Sequence, residues 1–162
     1  MAKVSGYSFA VEATPTLDTN AYAAGDHMGT LMTVDPSFSG IKDGDAYVLQ
    51  SITIVDKAKQ DAAINVFFFD ESPTLTSSDN AALDISDAEM ADKCVGFVSI
   101  AAGDYADLNV NSVATVRNLG LNVKPIDADA SGPFYAILQS QGAPTYAASD
   151  LVVKFHFAAD IK

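Results

Sequence analysis

The chain reads as an all-β protein, a two-sheet β-sandwich of about eight strands with one short helix near residues 86–93. Three observations predict this. Apolar residues fall in short runs of 6–10, often alternating with polar ones. Gly, Pro, Asn and Asp bound those runs, and the turn signals recur every 8–20 residues. Alternation places one set of side chains on each face of a strand, and these bounding residues are the ones that turns require.

Tyr7 to Glu12 alternates, with Tyr7, Phe9 and Val11 on one side, and stops before Pro15; it is expected at a sheet edge. His27 to Val34 follows the turn Ala24-Gly25-Asp26 and closes at Asp35-Pro36. Tyr47 to Val55 is rich in β-branched residues and reads as a third strand. After the polar turn 56–61, Ala63 to Phe69 ends on three consecutive Phe, which predicts either burial on both faces or an outer face that meets a partner. Ser86-Asp87-Ala88-Glu89 has the spacing in which serine oxygen and glutamate cap each other's free amides, so a short helix is expected through Lys93. Cys94 to Ala101 resumes strand character. Ser112 to Arg117, Leu119 to Val123, Phe134 to Gln141 and Leu151 to Phe157 add four more, the last with Val153, Phe155 and Phe157 alternating against Val152, Lys154 and His156.

Sheets this apolar must cover a face with another layer, which makes a sandwich the expected architecture. A jelly roll, with eight strands in two sheets, is the preferred topology; an immunoglobulin-like order stays open. No repeat or linker divides residues 1–162, so one domain is expected, with 1–6 as a candidate N-terminal arm.

Charge narrows the partners. Lys and Arg total 9 against 21 Asp and Glu, a net charge of -12, and Arg117 is the one arginine. Phosphate backbones are bound by displacing counterions with Lys and Arg, so no nucleic acid partner is expected. Anionic membranes would be repelled, and no apolar run reaches the roughly 18 residues of a spanning helix, so no membrane partner is expected either. One cysteine, Cys94, and an N-terminus without an apolar signal core predict synthesis and retention in a reducing compartment.

No catalytic, cofactor or metal site is predicted. The two histidines are His27, after a Gly-Asp turn where a local hydrogen bond is expected, and His156, on the strand face opposite Phe155 and Phe157. Cys94, with Lys93 as its one basic neighbour, reads as an inert thiol. Paired carboxylates such as Asp70-Glu71 follow from acidic composition, and with no Trp a sugar-stacking platform is poorly supplied. Asp43-Gly44-Asp45 and Asp127-Ala128-Asp129 are the places where calcium could be held, but turn formation is the preferred reading of both.

Four segments carry a resemblance. They are Thr14 to Asp26, Gln50 to Gln60, Phe67 to Thr74 and Leu138 to Tyr146. Together they resemble small virion structural proteins of tailed bacteriophages, in particular head decoration or cement proteins, over most of the chain. The resemblance implies a jelly-roll-like sandwich that assembles as a homotrimer on the outer capsid surface and bridges major capsid protein subunits. It supplies no catalytic residues. Another virion component (fibre, tail or head-completion protein) and a lectin-like sandwich are the alternatives. A lectin would show Tyr22, Tyr105 or Tyr146 exposed beside Asp or Asn. Tyr7, Phe9, Tyr22 and Tyr146 are the candidate interface residues.

Overall fold

A computed structural model describes residues 6–35, 47–123 and 133–160. The backbone forms β1 (Gly6–Ala13), β2 (His27–Val34), β3 (Tyr47–Asp56), β4 (Ile64–Phe69), α1 (Asp87–Lys93), β5 (Cys94–Ile100), β6 (Tyr105–Asp107), β7 (Ser112–Val123), β8 (Phe134–Ser140) and β9 (Leu151–Asp160). Two antiparallel sheets result, one in the order β1-β9-β3-β7-β6 and the other β2-β8-β4-β5.

The pairing is nested. β1 pairs with β9, β2 with β8, β3 with β7 and β4 with β5, as if the chain were folded in half around the β4–β5 connection. The doubled chain is then rolled, so that β9 also pairs with β3 and β8 with β4. Setting aside the three-residue β6, this is the jelly-roll order, and the immunoglobulin alternative falls away.

Alternation decides what each sheet buries. On β3, Tyr47, Leu49, Ile52 and Ile54 point into the core, and on β9 Val153, Phe155 and Phe157 do the same. The step from Leu49 to Ile52 breaks strict alternation because the register shifts between Leu49 and Ser51, and the extra residue keeps both halves of the strand facing inward. Facing them across the sandwich are Met28, Met32, Val34, Ile64, Val66, Phe68, Phe134, Ala136 and Leu138. The Phe134 ring is stacked on Phe68 at 5.6 Å and meets Phe155 and Phe157 edge-on at 6.1 and 6.0 Å, which locks the two layers together.

The helix starts where its sequence says. Ser86 Oγ accepts from the Glu89 amide at 3.3 Å. The reciprocal half of the expected box is replaced: the Glu89 carboxylate accepts from the Thr74 amide at 2.9 Å and pairs with Lys93 at 2.7 Å. Charge attraction and an unpaired loop amide outcompete the Ser86 amide for the same oxygen. Residues 112–123 form one strand where two were expected. Asn118 (φ 59°) and Gly120 (φ 60°) mark the interruption that the sequence shows, but the ladder to β3 runs past it. The β6 strand was not expected at all.

Candidate functional site

Each residue singled out by the sequence has a structural placement. His27 is buried, and its backbone, not its ring, makes the local bonds: its amide donates to Ala81 O at 2.8 Å and its carbonyl accepts from Asn80 N at 2.9 Å. The ring nitrogens make no well-formed hydrogen bond, so the expected side-chain contact at the turn is replaced by backbone pairing. Burial holds the imidazole below the usual histidine range, with the Ser77 backbone and the Asp79 charge pulling weakly the other way. His156 lies on the outer face of the five-stranded sheet, with Nε2 3.4 Å from Thr53 Oγ1. Cys94 is half-buried, with its thiol 3.7 Å from Gly96 O. Asp70 is raised above the usual carboxylate range, chiefly by burial and secondarily by Glu71. Among the described residues, no three His, Cys, Asp or Glu side chains come together as a metal centre. Both Asp-Xaa-Asp loops, 43–45 and 127–129, lie outside the described residues, as do residues 1–5 of the candidate arm.

Two of the candidate interface residues turn inward and close knots. Tyr22 is 2% exposed, and its hydroxyl donates to Asp79 Oδ1 at 2.8 Å while accepting from the Asp18 amide at 2.8 Å. The same Asp79 oxygen accepts from the Gly29 amide at 2.7 Å, so one carboxylate ties residues 18–22 and the 79–83 segment to the start of β2. Tyr146 is also 2% exposed, and its hydroxyl donates to Asp56 Oδ2 at 3.1 Å. Asp56 is completely buried at the end of β3 and accepts from the amides of Ala58, Gln60 and Asp61, each at 3.0 Å. Four donors thus satisfy one carboxylate, which holds the β3–β4 turn against the 144–147 loop. Burial first, and the Asp56 charge next, push the Tyr146 and Tyr105 hydroxyls well above the usual tyrosine range. Phe9 is half-buried on β1, stacked on Phe157 at 5.3 Å. Tyr7 stands opposite Ala159 in the same strand pair.

The exposed apolar surface lies elsewhere. Phe97 on β5 is 63% exposed and stacks on Phe67 of β4 at 5.6 Å. Beside Phe67 lies a shallow pocket of about 170 Å³, lined also by Leu83, Ile85, Met90 and Gln139. Among the described residues, Leu108 and Val110, between β6 and β7, are the other large exposed apolar side chains, at 56% and 71%. The run of three Phe divides accordingly: Phe68 enters the core, Phe69 is buried on the opposite face, and Phe67 borders the pocket.

No family model matches the chain, and no curated protein matches it. Solved virus structures superpose loosely on it. A chain of tomato aspermy virus is 10% identical with a TM-score of 0.43, the match covering 99% of this chain and 80% of that one. Cocksfoot mottle virus gives 9% identity and a TM-score of 0.38 over 97% and 84% of the two chains. Desmodium yellow mottle tymovirus gives 15% and 0.33 over 94% and 84%. The class of protein, an all-β jelly-roll domain, follows from the strand pairing described above.

Proposed function

We propose that the chain is a non-enzymatic virion structural protein and, within that class, a capsid decoration or cement protein. In this reading it sits on the outer surface of a tailed-phage head, as a homotrimer, and stabilises contacts between major capsid protein subunits after synthesis in the host cytoplasm. Jelly rolls also serve as lectins, so the fold alone does not choose. The observation that carries the choice is the inward placement of Tyr22 and Tyr146. A lectin presents loop aromatics to sugar rings; here both rings are interior and their hydroxyls are bound by Asp79 and Asp56. The segments on which the phage resemblance rests contain Tyr22, Asp56, Phe68 and Tyr146, so they contribute to both knots and to the aromatic core.

On a lattice, each trimer engages several neighbours at once, so weak single contacts suffice. The test is to mix the purified protein with bare phage heads and with isolated capsid subunits, after its mass in solution is fixed by light scattering. A trimer that binds assembled heads strongly and isolated subunits weakly is the expected result. A monomer that leaves heads unbound and retains a glycan would overturn the reading in favour of the lectin.

A further inference from the structure

We propose that the outer edge of β5 is a docking site for an extended segment of a partner protein, which adds to the four-stranded sheet as a fifth strand. The segment would carry apolar side chains at alternate positions and Lys or Arg at its ends. Three observations lead there. First, β5 ends its sheet, and among the described residues no backbone bond reaches its outer side between Val95 and Ile100. A row of amides and carbonyls without a partner among the described residues selects one kind of occupant, another extended backbone. Second, Cys94-Val95-Gly96-Phe97-Val98-Ser99-Ile100 contains no charged residue and no proline, two of the devices by which exposed edges are kept from pairing; the bulge at Val95 confines the regular edge to Gly96–Ile100. Third, Phe97 stands exposed at the middle of the strand and stacks on Phe67, next to the pocket formed with Leu83, Ile85 and Met90. A strand laid along β5 would place a side chain on that face against the exposed Phe97 ring, with the pocket on the far side of Phe67.

Charge defines the occupant further. Glu71 and Asp92 are exposed beside Lys93 at the Cys94 end of β5, and Asp104 follows the Ile100 end. Lys93, the nearby cation, is already engaged by Glu89 and by the Ser72 carbonyl. The rim is therefore acidic, and a basic-ended segment fits it. A second copy of the chain would bring a net charge of -12 against -12. The inference stands apart from the phage reading, since it rests on the edge alone; in that reading the segment would belong to the shell.

The experiment uses the whole protein and capped synthetic peptides of about eleven residues with alternating Val and Thr between paired Lys ends. Binding is followed by fluorescence anisotropy and by amide hydrogen exchange. The expected result is protection confined to β5, with affinity about tenfold weaker when the Lys ends are replaced by Glu. N-methylation of alternate residues should abolish binding in one phase and spare it in the other, because only one set of amides faces β5. Phe97→Lys should remove binding while leaving the exchange of the core strands unchanged, and Ser78→Lys, on the exposed 77–84 loop, should leave binding intact. Equal binding by both N-methylated phases, equal binding by Glu-ended peptides, protection at another strand, or β5 protection that rises with protein concentration without peptide, as for self-pairing, would each overturn it.

Discussion

The two edges of the four-stranded sheet are treated in opposite ways. Along the first half of β2, the chain covers its own edge. Asp26 bridges to Ala82, the His27 backbone pairs with Asn80 and Ala81, and Asp79 receives the Gly29 amide. Pro15, Leu17 and the Thr16 carbonyl crowd Gly29 from the other side. The connection from β4 to β5 travels across the outer face to make this cover before returning through α1. At β5 it supplies no cover. The difference teaches that protection of an edge is local: the same 70–93 segment seals the far edge and leaves the near one uncharged, carrying Phe97, and uncovered among the described residues.

This contrast can be broken from the β2 side. Asp79→Ala should have the largest effect, because it strands the Gly29 amide and the Tyr22 hydroxyl together; a loss of about 2–4 kcal/mol in urea unfolding is expected. A loss below about 0.5 kcal/mol would show that the cover is not fixed by that carboxylate. Gly29→Ala should follow, at about 1–3 kcal/mol, since its φ of 75° disfavours a side chain and its Cβ would lie 2.9 Å from Pro15 Cβ.

The buried His27 makes the same edge sensitive to acid. Its folded pKa is depressed, so above the unfolded value of about 6.5 both states are neutral and stability is full. As pH falls below about 6.5, the unfolded chain takes a proton that the folded one resists, and stability drops by at most about 1.4 kcal/mol per pH unit. Equilibrium unfolding of the native protein and of His27→Leu between about pH 6.5 and 5 should show the native slope flattened in the variant. An unchanged slope would assign the acid sensitivity elsewhere. Phe97→Lys should have the smallest effect on folding, within about 0.5 kcal/mol in thermal or urea unfolding, because β5 already holds that side chain in water. A cost of several kcal/mol would mean that Phe97 is part of the folded core.

Strands were legible wherever burial is one-sided or complete: 27–34 coincides with its expected bounds, and 151–157 shows its core set of Val153, Phe155 and Phe157 by alternation alone. The jelly-roll order was a preference until the nested pairing appeared, because which strands meet depends on contacts over a hundred residues apart. β6 was hidden by its three-residue length. The knots were harder still. Asp56 read as part of a polar turn and Tyr146 as a loop aromatic, since nothing local tells that the two meet across 90 residues. Exposed Tyr and buried Tyr look alike in sequence, whereas the open edge was half legible: the absence of charge from 94–100 is visible there, but the missing neighbour is not.

The nesting of the strands also sets the order in which the molecule can form. β9 lies between β1 and β3, in the interior of its sheet, and Gly6 stands opposite Asp160. During synthesis β1 has to wait for β9, and β3 lacks one of its two neighbours until residues 151–160 are free. Closing so long a loop before any contact rewards it makes folding slow, of the order of milliseconds to seconds. A ribosome stalled before residue 151 would hold a chain in which β1 and one side of β3 lack their partner, a natural client for chaperones.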